Sequence, residues 1–343
     1  MTIKVFEAFS GVGAQRMALR NLGLKHEVVA IAEIDKYALK SYEAIHGDCP
    51  NVGDISKLNV EDIPDHDLFT YSFPCQDISI AGNQRGLDEG TETRSSLLWE
   101  CKKIIEGKKP KYLLMENVKN LVGKKHRHNF DKWLEYLQDL GYTNYWEVLN
   151  AKDYNVPQNR ERVFVVSILG EHSSYEFPKA IPLEKVVRDI IDDEVDEKYY
   201  SNKPFKFVNK GKVKAEFLEG NFDQGKRIHG LDTYFQTLGA AERGTNNILV
   251  ENKKTVDFSQ ANHLSGGELR KYLVRQGVKR TTDYRVRKLT PKECWRLMGF
   301  CDEDFNKAKA AGVSDTQLCK QAGNSIVVPV LEGIFEQLFK KTK

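Results

Sequence analysis

The chain of 343 residues suits one large domain or two medium ones, and its 40% hydrophobic and 29% charged residues exclude collagen-like and disordered classes. Its six cysteines contain no C-x-x-C pair, which argues against a zinc ribbon and favours reduced thiols in a cytoplasm without a bound metal. The net charge is +3, and the absence of a secretory leader or a long apolar run predicts no membrane association.

The first half alternates short β-rich runs with helical patterns, which is typical of βαβ units on a doubly wound, mainly parallel sheet. The predicted strands are 3–6, 28–32, 68–71, 112–115, 145–149 and 163–168. The predicted helices are 14–22, 36–46, 95–106 and 127–140. We expect an α/β fold whose sheet is buried on both faces.

From about residue 180 the periodicity weakens and the charge changes. Residues 198–288 contain 19 lysines and arginines against 9 acidic residues, which favours a polyanionic partner such as nucleic acid over a merely solvated surface. Helical periodicity returns at 291–298 and 327–340. The pattern predicts a catalytic and cofactor-binding domain at 1–179, completed by 318–343, and a second, smaller irregular domain at 180–317.

A glycine-rich turn follows the first predicted strand. Gly11 and Gly13 lie where doubly wound sheets bind nucleotide-like ligands. Glu33, about 20 positions further on, is suited to a ribose diol, and Asp54 at a third predicted strand end is suited to an exocyclic amine. Tight turns and helix capping are the alternative interpretations of these residues. Together they predict an adenosine-containing ligand.

Side chains that could act as a nucleophile, a proton donor or a cation follow the next predicted strands. Cys75 comes after strand 68–71 on a loop with proline, which suits an accessible thiolate nucleophile. Glu116 ends the following strand and could donate a proton if burial raises its pKa. Arg160 and Arg162 alternate on an extended segment and should point the same way, toward a carbonyl oxygen or an anion.

These motifs and their order along the chain resemble those of the DNA (cytosine-5) methyltransferases of bacterial and phage restriction-modification type. The resemblance extends over nearly the whole chain. The matching elements are Phe9-Ser10-Gly11-Val12-Gly13, Glu33, Gly53-Asp54-Ile55, Phe73-Pro74-Cys75-Gln76, Glu116-Asn117-Val118, Gln158-Asn159-Arg160-Glu161-Arg162, 287–300 and 323–329. The resemblance implies the doubly wound fold of S-adenosylmethionine-dependent methyltransferases, with a second, smaller target-recognition domain. It also implies sequence-specific methylation of cytosine at carbon 5 in DNA. Ala14 departs from the glycine often found there, which affects only the fine shape of the loop.

The resemblance assigns roles to the catalytic residues. The Cys75 thiolate would add to carbon 6 of cytosine, Glu116 would assist at N3, and Arg162 would stabilise charge at O2 while Arg160 supports the loop. S-adenosylmethionine would donate the methyl group. Its implied contacts are Phe9, Gly11, Val12, Gly13, Glu33, Ile34, Asp54, Ile55, Pro74, Leu97, Asn324 and Ile326.

The resemblance also implies double-stranded DNA as a partner and flipping of the target base out of the duplex. Gln76, Ser79 and Arg94 would contact the DNA near the flipped nucleotide, the last two from a mobile active-site loop. Gln236 and Thr237 would belong to the recognition element that includes Leu238. We further expect a cytoplasmic monomer, which either has a cognate restriction endonuclease acting on the same site or is an orphan enzyme without one.

Four alternatives compete with this interpretation. An amino-group methyltransferase would carry an Asp/Asn-Pro-Pro-aromatic sequence where this chain has Phe73-Pro74-Cys75-Gln76. A transfer RNA methyltransferase of the same family would carry a Cys-Phe-Thr tripeptide, which this chain lacks. A catalytically silent DNA-binding module should have lost Cys75 or Glu116, and both are present. A nicotinamide dehydrogenase would share the glycine turn and Glu33, but it gives no reason for the cysteine, the glutamate and the arginines.

Overall fold

The computed structural model describes residues 2–75, 78, 97–200, 206–208, 214–216, 228–239, 247–251, 263–264, 268, 271–272, 275 and 284–340. Its first seven strands are β1 (Ile3–Ala8), β2 (His26–Ala32), β3 (Leu68–Tyr71), β4 (Tyr112–Val118), β5 (Tyr142–Asn150), β6 (Gln158–Asn159) and β7 (Glu161–Leu169). Six of these form one sheet in the order β2-β1-β3-β4-β7-β5. Each predicted strand is thereby confirmed, with ends that differ by up to three residues.

The sheet is mixed in direction. Strands β1 to β4 pair in parallel, whereas β7 runs antiparallel to both β4 and β5. All four residues of β3 and the central five of β4 are buried, as expected for apolar strands covered on both faces. The reversal of β7 brings its first residues beside the last residues of β4, so Arg162 pairs with Val118.

Eight helices of the described chain cover the sheet. They are α1 (Ala14–Asn21), α2 (Lys36–His46), α3 (Cys101–Lys108), α4 (Arg127–Asp139), α5 (Pro291–Arg296), α6 (Asp302–Ala310), α7 (Asp315–Asn324) and α8 (Val328–Phe339). Local chemistry sets their starts, since the Asp35 side chain caps α2 and Thr290 forms a capping box with Glu293 in α5. Helices α6 and α7 were not predicted. Among the described residues, no helix is long and apolar enough to cross a membrane.

Two apolar cores lie on opposite faces of the sheet. One joins Phe69 and Met115 to Ile104 and Trp133 of helices α3 and α4. Burial of the sheet on both faces is therefore confirmed.

The other core contains residues of α1, α2 and the C-terminal helices. Trp295 of α5 lies in it with Met17 and Leu331, and its indole N–H donates to the carbonyl of Leu318 at 2.9 Å. Leu289, Phe300 and Val313, which lie in the segment that the sequence assigned to the second domain, belong to the same core.

The strands described in the segment between these parts are short. They are β8 (Lys206–Val208), β9 (Lys214–Glu216), β10 (Ile228–His229), β11 (Phe235–Gln236), β12 (Asn247–Glu251) and β13 (Tyr284–Lys288). Strands β8 and β9 pair with each other, β12 lies between β10 and β13, and β11 pairs with β6 of the first half. The segment is attached through a buried ion pair of 2.8 Å between Arg287 and Glu293.

Candidate active site

Cys75 lies on the loop that follows β3, where the sequence predicted it. The side-chain amide of Asn117 on β4 donates to the carbonyl of Phe73 at 3.0 Å and so fixes this loop to the neighbouring strand. The Cys75 thiol is free and partly buried. Burial raises its pKa and the Glu116 carboxylate raises it further, whereas Arg162 and Arg160 oppose this shift.

Glu116 lies near the end of β4 and is only 8% exposed. Arg162 Nε lies 3.1 Å from its Oε1 atom, across the antiparallel β4–β7 pair. Burial raises the pKa of Glu116, although both arginines and a hydrogen bond with Ser72 lower it. A buried carboxyl group with a raised pKa, electrostatically coupled to a thiol, can act as a proton donor to a bound substrate.

Arg160 and Arg162 both line a small cleft that also includes Phe164 and Ile326. Their partners differ, however. Arg162 pairs with Glu116, while the guanidinium of Arg160 donates to the carbonyls of Leu238 at 2.9 Å, Gly323 at 3.0 Å and Ser325 at 2.8 Å. Arg162 is therefore the arginine beside the acid, and Arg160 holds backbone.

The turn between β1 and α1 has an unusual backbone. Phe9, Gly11 and Gly13 all have positive φ, at 56°, 56° and 79°. A Cβ atom on Gly13 would lie 2.6 Å from His46 Nε2 and 2.7 Å from Tyr42 Cε2, whereas a Cβ on Gly11 would meet nothing within 4 Å. Gly13 is therefore required by both conformation and packing, and Gly11 leaves open space beside the loop.

This difference gives a testable prediction about the loop. We expect Gly13→Ala to lower the free energy of unfolding by about 2–4 kcal/mol, since strain at positive φ adds to a clash with α2. Gly11→Ala is the matched control and should cost only about 1 kcal/mol, the strain alone. Urea unfolding of both variants measures the difference, and equal losses would contradict the packing argument.

Glu33 follows β2 and faces the same loop. Its carboxylate accepts hydrogen bonds from the backbone N–H groups of Gly11 at 2.8 Å, Ile34 at 2.9 Å and Asp35 at 2.7 Å. The Ile34 side chain beside it is 75% exposed, which is unusual for a large apolar residue. The structure thus brings together the glycine turn, a fixed carboxylate and an uncovered apolar side chain.

The other predicted cofactor residues are distributed around this turn. The prediction that Asp54 follows a strand is wrong, because residues 51–54 form only an isolated bridge from Asn51 to Ile31. Asp54 instead caps a short 3-10 helix, since its carboxylate accepts a hydrogen bond from the Ser56 N–H. Phe9, Ile55 and Leu97 belong to the apolar cluster on the α3 and α4 face, while Val12 and Ile326 belong to the cluster on the other face. Pro74 is partly buried beside Cys75, and Asn324 is exposed at the end of α7.

The predicted DNA contacts are only partly described. Gln76, Ser79 and Arg94 lie outside the described residues. Gln236 pairs with Asn159 through β11 and β6, and the Thr237 hydroxyl donates to the carbonyl of Asn159 at 2.8 Å. The predicted recognition element is therefore attached directly to the segment that carries the arginines.

The sequence reasoning missed Glu7, a buried acid beneath the glycine turn. The Tyr42 hydroxyl donates to its Oε2 atom at 2.7 Å, while its Oε1 atom has no hydrogen-bond partner among the described residues. Burial raises the pKa of Glu7 to about 7, against opposing effects of Tyr42 and Arg16. An acidic residue in an otherwise apolar buried strand was the available signal.

Glu7 should make stability depend on pH. Between pH 4.5 and about 7 the folded state holds a proton on Glu7 that the unfolded chain has lost, so the free energy of unfolding falls as pH rises. We expect wild type to lose about 3 kcal/mol relative to Glu7→Gln across this range, from the shift at 1.36 kcal/mol per unit. Urea unfolding at pH 5 and 8 measures this.

Tyr42→Phe provides the internal control for this titration. Removing the hydroxyl that stabilises the Glu7 carboxylate should extend the loss of stability to higher pH. If the stability difference between wild type and Glu7→Gln did not change with pH, the assigned titration would be wrong.

Comparison with known proteins gives the same result along the whole chain. The C-5 cytosine-specific DNA methylase family matches residues 3–340. The chain is 41% identical to the type II methyltransferase M2.ScrFI of Lactococcus lactis subsp. cremoris, over 98% of this chain and 99% of the relative. It is 34% identical to the type II methyltransferase M.NlaX of Neisseria lactamica, over 98% and 96%.

Two solved structures are similar in fold. A Dnmt2 methyltransferase of S. pombe matches with a TM-score of 0.70 at 19% identity, covering 99% of each chain. The methyltransferase EhMeth of Entamoeba histolytica matches with a TM-score of 0.73 at 18% identity, covering 100% of this chain and 99% of the other. The mixed sheet and its helices therefore form a methyltransferase fold. With the family match across residues 3–340, the chain belongs to the C-5 cytosine-specific DNA methylases and is a DNA cytosine-5 methyltransferase of the kind found in restriction-modification systems.

Proposed function

We propose that the enzyme activates cytosine through Cys75, Glu116 and Arg162. The observation that carries this proposal is the buried Glu116–Arg162 pair, whose charges act on the Cys75 thiol. The Cys75 thiolate forms a bond to carbon 6, the C5–C6 double bond opens, and electron density moves onto N3 and O2. Glu116 donates a hydrogen bond or proton at N3, and Arg162 stabilises O2.

The ring is then an enamine whose carbon 5 can accept a methyl group. Loss of the carbon 5 proton to water restores the C5–C6 double bond, returns the N3 proton to Glu116 and breaks the bond to Cys75, which leaves as thiolate and completes the turnover. Arg160 is here a positioning residue, because its guanidinium binds backbone carbonyls.

The described residues fit S-adenosylmethionine as the methyl donor, a group that supplies an electrophilic methyl on a sulfonium. The open space at Gly11, the Glu33 carboxylate and the exposed Ile34 side chain form a cradle that suits a ribose and an adenine ring. Asp54 and Ile55 would contact the adenine edge. Phe9, Val12, Gly13, Pro74, Leu97, Asn324 and Ile326 would complete the pocket.

The proposed substrate is a short duplex DNA sequence whose target cytosine is flipped out to reach Cys75. Gln76, Ser79 and Arg94 would contact the DNA near this base. Gln236 and Thr237 would lie in the target-recognition segment. The lysines and arginines within residues 198–288 would supply the phosphate contacts of this segment. We propose a monomer acting on DNA in the cytoplasm, with a cognate restriction endonuclease as its functional partner.

Base-resolution bisulfite sequencing tests the proposed reaction. DNA from a methylation-free host that expresses the enzyme should show protected cytosines within one short motif, and DNA from a host that expresses Cys75→Ser should show none. Protection scattered without a motif would contradict sequence specificity. Complete absence of protection by a folded enzyme would favour an RNA substrate or a silent DNA-binding role.

Exchange of the recognition segment tests where specificity lies. Transfer of residues 180–286 into a relative of known target should transfer this enzyme's methylation motif, because base readout depends on groove contacts made by that segment. The reciprocal exchange is the control. A folded, active hybrid that keeps the recipient's motif would refute the assignment of specificity to 180–286.

A further inference from the structure

We infer that Arg160 couples the target-recognition segment to the cofactor-binding tail, so that binding of DNA and of cofactor favour each other. This inference rests on the proposed assignments of Thr237 and Leu238 to recognition and of Asn324 and Ile326 to the cofactor pocket. It assigns Arg160 a positioning role that is distinct from stabilising charge on the cytosine.

On the recognition side, both backbone groups of Leu238 are held by the segment that carries Arg160. Its N–H donates to Gln158 Oε1 at 2.8 Å, and its carbonyl accepts from Arg160 Nη1 at 2.9 Å. The Gln158 amide in turn donates to the carbonyl of Leu297 at 2.9 Å in the catalytic core. Leu238 and Gln158 are fully buried, so these bonds are shielded from competing water.

On the cofactor side, Arg160 holds the end of α7. Its Nη2 atom donates to the carbonyls of Gly323 at 3.0 Å and Ser325 at 2.8 Å, on either side of Asn324. Ile326, also assigned to the cofactor pocket, follows directly and is buried. The position of Asn324 therefore depends on the orientation of one guanidinium group.

A single rigid group makes all three bonds. The guanidinium is planar, so a rotation that follows movement of Leu238 also moves the nitrogen that binds Gly323 and Ser325. Arg160 is only 3% exposed. Each of its bonds to a carbonyl is charge-assisted because the guanidinium donor is ionised. A lysine keeps the charge but has a single nitrogen without the fixed fork, and cannot reproduce this geometry.

The test is the effect of target duplex on cofactor affinity. Calorimetry would measure binding of S-adenosylhomocysteine, a non-reactive analogue, with and without a duplex carrying the motif found by bisulfite sequencing. In the wild type we expect the duplex to tighten binding by about 5-fold or more, within the usual range of coupling between sites. Arg160→Lys should reduce this ratio to within about twofold of one.

Arg20→Lys is the matched control, because Arg20 also joins distant elements, through two hydrogen bonds with Asp304 that link α1 to α6. This variant should keep the wild-type ratio. An unchanged ratio in Arg160→Lys, or a ratio of one in the wild type, would overturn the coupling. A wild type that binds no S-adenosylhomocysteine would instead refute the proposed cofactor pocket.

Hydrogen exchange on the wild type tests the inference if Arg160→Lys does not fold. Binding of S-adenosylhomocysteine should slow exchange at the Leu238 amide, and binding of duplex should slow exchange at residues 323–326, because the Arg160 guanidinium binds carbonyls of both segments. If each ligand protected only its own segment, the coupling role would be excluded.

Discussion

Replacing Cys75 with serine is expected to abolish methyl transfer, with a fall of at least about four orders of magnitude, the usual result of removing a covalent nucleophile. A serine hydroxyl has a far higher pKa than a thiol, so almost none of it is ionised at neutral pH. Transfer of labelled methyl groups to DNA measures the rate. The fold should be unaffected because the position is partly buried and the two side chains are nearly isosteric.

Cys301→Ser is the matched control for this substitution. The Cys301 side chain is exposed and caps α6 by accepting a hydrogen bond from the Asp304 N–H. Serine is a preferred residue at such a position, so stability and activity should both be retained. A Cys75→Ser enzyme with a near-normal rate would eliminate covalent catalysis by this thiol.

Replacing Glu116 with glutamine is expected to lower the rate by about 10²–10⁴-fold, the usual contribution of a positioned acid. Glutamine can still donate a hydrogen bond to a ring nitrogen, but it cannot transfer a proton there. The substitution also removes the carboxylate that lies 3.1 Å from Arg162 Nε in the wild-type protein. Single-turnover methylation measures the chemical step separately from product release.

The same variant should make the Cys75 thiol more reactive, although it makes the enzyme slower. The Glu116 carboxylate helps to raise the pKa of Cys75, so its neutral replacement should lower that pKa and increase the reactive thiolate at a given pH. Iodoacetamide should therefore modify Cys75 faster in Glu116→Gln than in wild type, as followed by mass spectrometry of the peptide. A slower enzyme with an unchanged Cys75 alkylation rate would mean that the acid and the thiol are not electrostatically coupled.

Loss of a proton from Glu116 and from Cys75 should have opposite effects on catalysis. The proposed mechanism requires a protonated carboxyl group and a deprotonated thiol, and burial raises both pKa values in the unliganded protein. A bell-shaped dependence of kcat/KM on pH, with limbs that belong to the coupled pair, is the expected consequence.

The sequence by itself determined the strands of the sheet and the positions of Cys75 and Glu116. Buried parallel strands are continuous apolar runs, and catalytic side chains follow them at the carboxyl edge, so both features can be read from local pattern. The start of α2 at Asp35 and the glycine turn are equally local, since the capping side chain and the required φ are properties of adjacent residues.

Only the tertiary structure decided which distant groups meet. The antiparallel direction of β7 places Arg162 against Glu116, and strand direction is not encoded in the apolar pattern of a strand. Arg160 has partners at Leu238, Gly323 and Ser325, up to 165 positions away along the chain. Glu7 acquires its raised pKa from burial beneath the turn, against the opposing hydrogen bond from Tyr42 of α2. Such pairings depend on how separate elements pack, because hydrogen bonds and desolvation act through space and not along the sequence.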